Sequence, residues 1–328
     1  MPLCFSKMRY FSILSLLFTL PLLSKDITPA FTFQSRGLVN DFVIDDYKLY
    51  VANDEGSVEV FDVLEQKRID EIFIMPNKTF TGEWVNAKVL SVDRFEGRTL
   101  IVSTAEKGYR NVWIHDGLKL KKLISVEKKQ VVKEARFIGR DNFVFGTLSY
   151  DIVSYTLKDS YATFSRQIEQ SAFSDMVMSE DRKTMVAASE SGQVTLLESA
   201  TARVLKKFKP LNLDNIYNLA FKNGTIITAG QDRRVGVYPK DGEPYVIKSN
   251  FLVYAVGLSP SGKTAVYSSN EECDLQLFDV KTGKKTDVLK GQNSIPSTIK
   301  FLDEDGFFSA GYGSTIYYWY LKDYKKKR

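Results

Sequence analysis

The stretch "TAGQDRRVGVY", Thr228 to Tyr238, consists of a small-residue strand end, a tight polar turn carrying Asp232, and an alternating strand. The same pattern returns along the chain. Close copies are "ANDEGSVEVF" from Ala52, "GTLSYDIVSY" from Gly146, "ASESGQVTLL" from Ala188, "SNEECDLQLF" from Ser269 and "AGYGSTIYYW" from Ala310, each with a small residue six positions before an apolar strand-opening residue. A further copy, "STAEKGYRNVWIH" from Ser103, keeps the ends and lengthens the turn. The strand-opening residues are Val58, Val112, Ile152, Val194, Val235, Leu275 and Ile316, at successive spacings of 54, 40, 42, 41, 40 and 41. A unit of about 40 residues built of four short strands is the sequence sign of a β-propeller.

The remainder of each unit agrees with four strands. Blade five reads "NIYNLAF", "KNGTIITAG", "RRVGVYPKD" and "EPYVIKS", short apolar runs separated by Gly, Asn, Asp or Pro turns. In blade six, Ser259-Pro260-Ser261-Gly262 supplies a tight turn. Both faces of the third strands are partly apolar, as a blade packed between two neighbours requires. The fold expected is therefore all-β: a seven-bladed β-propeller over residues 25–328. The last blade stops after its third strand, while "ITPAFTFQS" stands spare ahead of blade one. Pairing Ile27 to Gln34 as the outer strand of blade seven closes the ring and removes an exposed sheet edge.

Composition sets the class of protein. The 328 residues are 44% hydrophobic and 13% aromatic, enough for a large core. The 45 basic and 40 acidic residues are scattered along the chain, so the concentrated charge of a nucleic-acid binder is missing. Residues 1–24 have the layout of a secretory signal peptide: Lys7 and Arg9, an apolar run from Phe11 to Leu23, and Ser24. That run is short for a membrane span and contains Pro21, which leaves an uncleaved anchor as the second reading; Met8 is an alternative start. Cys4 leaves with the leader, and Cys273 alone cannot form an internal disulfide. The expectation is a periplasmic monomer with no membrane span after cleavage.

The chain resembles the WD-repeat propellers (WD40-like) in the dipeptides closing its third strands: Phe61-Asp62, His115-Asp116 and Phe278-Asp279, with degenerate forms Tyr155-Thr156, Leu197-Glu198, Tyr238-Pro239 and Trp319-Tyr320. The Gly-His element usual in eukaryotic members is absent. In such blades a turn Asp fixes the hairpin by accepting hydrogen bonds, the role the resemblance implies for Asp54, Asp151, Asp232 and Asp274.

Catalytic chemistry finds little support. The one histidine, His115, sits in a strand-closing slot where packing is the expected role, and a hydrolytic nucleophile needs a base within reach. Cys273 lies among Glu271, Glu272 and Asp274, which disfavours a thiolate. The opening positions of the first strands read Asp41, Glu134, Asp175 and Asn218. Converging at one channel mouth, they would suit a hard cation such as calcium; the competing reading makes them strand-end caps beside channel water. No cofactor is expected, since the chain has neither a haem-binding CxxCH nor a cysteine cluster.

Protein binding is the stronger expectation. "IMPNKTFTGEWVNAK", residues 74 to 88, links blades one and two and holds Phe80 and Trp84. Either it forms an aromatic rim loop, or Trp84 folds back to plug a gap. Tyr109 and Arg110 in the long turn of blade two, with Arg233 and Arg234 beside Asp232, add residue types that dominate interface energies. In its leader, length, single mature cysteine and divergent repeats the chain resembles the NapL type of periplasmic protein. That resemblance implies an accessory role in maturation of, or electron supply to, the periplasmic nitrate reductase, with its subunits as partners. Two other resemblances are weighed beside it: a general envelope-assembly scaffold, and a metal-dependent propeller hydrolase of the lactonase kind using Asp41, Glu134, Asp175 and Asn218.

Overall fold

A computed structural model describes residues 26–158 and 161–322. The expected leader over residues 1–24, with Cys4 and Met8, and the run Lys325–Arg328 lie outside the described residues.

Seven four-stranded antiparallel sheets make the ring. Following β1 (Phe31–Gln34), blade one comprises β2 (Val39–Asp45), β3 (Lys48–Asn53), β4 (Ser57–Asp62) and β5 (Lys67–Phe73). The short strands β6 (Asn77–Lys78) and β7 (Trp84–Val85) lie between blades one and two. Blade two holds β8 (Val89–Phe95), β9 (Arg98–Thr104), β10 (Arg110–His115) and β11 (Leu120–Ile124); blade three holds β12 (Val132–Phe137), β13 (Asn142–Thr147), β14 (Asp151–Thr156) and β15 (Ala162–Gln167). Blade four is β16 (Phe173–Met178), β17 (Thr184–Ser189), β18 (Val194–Glu198) and β19 (Val204–Lys207); blade five is β20 (Ile216–Lys222), β21 (Thr225–Gly230), β22 (Arg234–Tyr238) and β23 (Tyr245–Lys248). Blade six is β24 (Val256–Leu258), β25 (Thr264–Ser268), β26 (Leu275–Asp279) and β27 (Lys285–Leu289), and blade seven adds β28 (Pro296–Phe301), β29 (Gly306–Gly311) and β30 (Thr315–Tyr320). Each strand-opening residue read from the repeat lies in the third strand of its blade.

Ring closure is as the sequence implies, with one change of bounds. β1 pairs antiparallel with β30, Phe31 opposite Tyr318 and Gln34 opposite Thr315. Ile27 does not belong to that strand. It makes a parallel bridge to Leu289 of blade six, with Lys290 N donating to Ile27 O at 2.8 Å. Pro29 has no N–H to extend the ladder, and the chain instead crosses from blade six to blade seven, burying Ile27 against Leu277, Phe307 and Trp319.

The core occupies the interfaces between blades, because each sheet is apolar on both faces. Leu100, Val102 and Val112 of blade two meet Phe137, Phe143 and Phe145 of blade three, and Phe33, Phe308 and Ile316 of blade seven meet Phe42, Val51 and Phe61 of blade one. The inner strands β2, β8, β12, β16, β20 and β28 each shift register just after their first residue. Such bulges re-aim side chains, and here they set the residues lining the channel.

Candidate functional site

The inner strands surround a channel cavity of about 520 Å³. Asp41, Glu134, Asp175 and Asn218 all line it, at the end where those strands begin, so the four residues picked from the sequence do come together. Their surroundings are those of inter-blade ties. Asp41 Oδ2 accepts Val92 N of the next blade at 3.1 Å, and its Oδ1 accepts Lys300 Nζ at 2.9 Å. Asp175 Oδ2 accepts Leu219 N at 2.7 Å and Asn218 Nδ2 at 3.1 Å, while Asn218 Oδ1 accepts Val256 N at 3.1 Å. Each inner strand has one edge facing the channel without a ladder partner, and these side chains satisfy the neighbouring blade's N–H groups there. Among the described residues no three His, Cys, Asp or Glu side chains are grouped as a metal site requires.

The channel is electrically layered. Two positions deeper on the same strands stand Arg136 and Lys300, beneath Glu134 and Thr298. Lower still, Arg182, in the first turn of blade four, grips Asp93 of blade two at 2.7 and 3.1 Å and donates to Phe137 O and Arg94 O. One guanidinium thereby links three blades. These cations escaped the sequence reading, although the alternation of the inner strands points every second residue after Asp41 or Glu134 to the same lining.

Glu134 is the exception to this pairing. Its Oε2 contacts Arg136, but the buried Oε1 has no hydrogen-bond partner. Burial, reinforced by Asp175 and Asp41 and opposed by Arg136, pushes the Glu134 carboxyl up to about 8. For Asp41, burial works in the same direction, but Lys300 and Arg136 outweigh it and hold that carboxyl below its ordinary range. Arg136, buried among Glu134, Asp41 and Asp93, remains a cation.

The segment between blades one and two forms a hairpin. Thr79 N donates to Glu83 O at 2.8 Å, Gly82 N to Thr79 O at 3.0 Å, and Asn77 Nδ2 to Thr104 O at 2.7 Å, which pins the hairpin to blade two. Gly82 turns the tip with φ +90°, a value suited to glycine. Phe80 at the tip is fully exposed and Trp84 is 65% exposed; Met75 and Phe73, in the chain leading into the hairpin, are 71% and 62% exposed. Trp84 does not plug an inter-blade gap; Lys78 Nζ lies 5.0 Å from its ring centroid.

The other candidates are dispersed. Tyr109 and Arg110 are half-buried, and Arg110 Nη1 is spent on Gly108 O and Tyr109 O at 2.7 and 3.0 Å. Arg233 is exposed in a left-handed turn, φ +62°, and Arg234 pairs with Asp232 at 3.5 Å. Asp232 itself ties the blade together by accepting Leu213 N at 2.7 Å and Asn212 Nδ2 at 3.0 Å, while Asn212 Oδ1 accepts Thr228 Oγ1 at 2.5 Å. Gly236 belongs to this knot, since a Cβ there would stand 2.6 Å from Thr228 Oγ1. Asp54 likewise accepts Leu38 N at 2.7 Å, whereas Asp151 and Asp274 bond within their own turns. Half-buried His115 closes β10, and Asp116 after it caps the turn by accepting Leu118 N and Lys119 N at 2.9 and 2.8 Å. Burial, with Asp274 and Glu272 nearby, pushes the Cys273 thiol up.

No protein-family model matches the chain, and no curated protein sequence matches it. Solved structures do. The β-propeller domain of Myceliophteria thermophila Cps50 (Swd1) superposes with a TM-score of 0.70 at 12% identity, covering 89% of this chain and 99% of that one. A chain of the mitotic checkpoint complex gives a TM-score of 0.72 at 12% identity, with 96% and 99% coverage. These likenesses show the fold: the chain is a WD40-like seven-bladed β-propeller. No helix among the described residues is long and apolar enough to cross a membrane.

Proposed function

We propose that the protein is a non-catalytic interaction scaffold that engages a protein partner through the hairpin between blades one and two. The fully exposed Phe80 on a turn held by three hydrogen bonds carries this reading. Aromatics carried on a pre-ordered turn bind without a large ordering penalty, and Trp and Phe anchors with other exposed apolar residues leading into the hairpin supply the centre of an interface. Most acids and bases of the channel support it from the other side: Asp41, Asp93 and Asp175 are engaged with Lys300, Arg182, Asn218 and backbone N–H groups, Glu134 Oε1 being the exception. Propellers serving as parts of larger assemblies, such as that in the mitotic checkpoint complex, lend the fold-level analogy.

The leader-like residues 1–24 and the single later cysteine support a periplasmic location. Similarity in character to the NapL type supports subunits of the periplasmic nitrate reductase as the partner. The test is affinity capture of the tagged protein from the periplasm of its own host, grown with and without nitrate. Recovery of those subunits, reduced at least tenfold by Phe80→Ala with Trp84→Ala, is the expected result. Recovery of envelope-assembly proteins alone would overturn the nitrate reading, and capture indifferent to the double variant would overturn the hairpin as interface.

A further inference from the structure

Among the described residues the channel holds one buried acceptor, Glu134 Oε1, that the fold leaves unsatisfied. Of the lining carboxylates, Asp41, Asp93 and Asp175 are saturated by Lys300, Arg182, Asn218 and backbone N–H groups. Glu134 is 6% exposed, faces the same cavity, and has an oxygen with no donor. A buried carboxyl oxygen with no hydrogen-bond partner is unfavourable by more than an ordinary hydrogen bond is worth, and once ionised Glu134 has a free acceptor to offer a donor. The same end of the channel bears tyrosines. Tyr217 lines the cavity, its ring is stacked on Tyr254 at 5.1 Å and 10°, and Tyr312 and Asp214 lie near enough to act on its hydroxyl. Lys133, the base at this level, turns aside to donate to Phe173 O at 3.1 Å. The opposite end is lined by Arg182 and Lys222, which repel a cation.

We infer that the tyrosine-bearing end of the channel binds an alkylammonium group, with Glu134 Oε1 as acceptor and the Tyr217 ring as an aromatic wall. A metal ion fits poorly, because Asp41 and Asp175 already spend their lone pairs on N–H donors and sit above Arg136 and Lys300. An ammonium ion brings its own donors, needs a single carboxylate, and is stabilised by aromatic faces. The volume of about 520 Å³ admits a small linear amine. The group can come from a free polyamine or from a lysine side chain of a partner.

The site makes binding and protonation compete. Glu134 faces Arg136 and Lys133 on its own strand, Asp41 from β2 and Asp175 from β16, while Lys300 of β28 lines the same cavity and is bound to Asp41. Held protonated below about pH 8 by burial and the two aspartates, it must lose its proton to accept the ammonium ion fully. Affinity therefore falls towards tenfold per pH unit as pH drops below about 8.

Calorimetric titration of the full chain with 1,4-diaminobutane and with Nα-acetyl-lysine amide, at pH 6, 7 and 8.5, tests the inference. Saturable binding that strengthens with pH, with a heat that varies with the buffer's ionisation enthalpy, is expected. The tighter ligand marks the free amine or the lysine side chain as the source. Glu134→Gln should weaken binding at least tenfold and abolish its pH dependence, and Tyr217→Ser should weaken it several-fold. No saturable binding at pH 8.5 up to millimolar amine, or undiminished binding to Glu134→Gln, overturns the inference, as does displacement of the amine by micromolar calcium. If Glu134→Gln does not fold, the buffer-dependent heat of the wild-type protein still decides: no proton release means the ammonium does not meet Glu134.

Discussion

Replacing Phe33 by alanine tests how the ring is closed. Phe33 is 4% exposed on β1, with its ring centroid 4.9 Å from that of Phe61 in blade one and 6.2 Å from that of Phe308 in blade seven. It is the side chain through which the closing strand reaches the next blade. Removing a buried Phe side chain eliminates its transfer free energy and leaves a cavity, together worth about 3–5 kcal/mol. Unfolding entropy of about 2.1 cal/mol/K per residue gives about 0.6 kcal/mol/K for a chain this long, so Tm should fall by about 5–8 °C. Urea denaturation followed by tryptophan fluorescence and by circular dichroism reads the same quantity, with an unchanged m-value expected if only stability is affected. Phe80→Ala is the matched control: its side chain is fully exposed, and the change should stay within about 0.5 kcal/mol of wild type. If Phe33→Ala shifted the midpoint no more than Phe80→Ala, β1 would not be the element that holds blade seven to blade one. Deleting residues 27–34 takes away Ile27 and the whole strand, exposes the edge of β30, and should yield protein that aggregates or melts early.

The pH dependence of stability has a defined sign at Glu134. A carboxyl whose folded value is raised from 4.5 to about 8 binds more protons folded than unfolded between those limits. Stability from this group therefore declines as pH rises from about 4.5 to about 8 and is level above; in thermal melts Glu134→Gln should remove that decline and gain most over wild type at pH 8 and above. Asp232→Ala leaves Leu213 N–H and the Asn212 amide without their acceptor and should lower stability by about 1–2 kcal/mol in urea titrations. Arg182→Ala strands Asp93, whose side chain is 6% exposed, and should destabilise by about 3–5 kcal/mol, partly restored by adding Asp93→Asn.

The architecture was legible because each blade repeats one local rule: a small residue, a polar turn, then an apolar opening residue such as Val235 or Ile316. Residue spacing alone recovers that. The bounds of closure were less legible: Ile27 reads as part of the run to Gln34, and only the path around Pro29 sends it to blade six. The four channel residues were found because they open equivalent strands. Their roles were not, since the decisive partners come from elsewhere in the sequence. Lys300 reaches Asp41 across 259 positions, and Arg182 reaches Asp93 across 89. Trp84 was undecided between plug and rim because sequence pattern carries no information on whether a two-residue strand will hold a loop off the surface. The tyrosine stack beside the channel went unnoticed, as Tyr217 and Tyr254 come from successive repeats and meet only through the ring.

The pairing of β1 with β30 also sets the order of events in synthesis. Phe31 must wait for Tyr318, so nearly the whole chain has to be made before the first strand finds its place. Until then its apolar side chains, Phe31 and Phe33, have no blade to join, and closing so long a loop is the step expected to limit folding. Under the proposed export across a membrane, such delay would be useful: the molecule could not complete itself on the side where it is made before its far end had emerged.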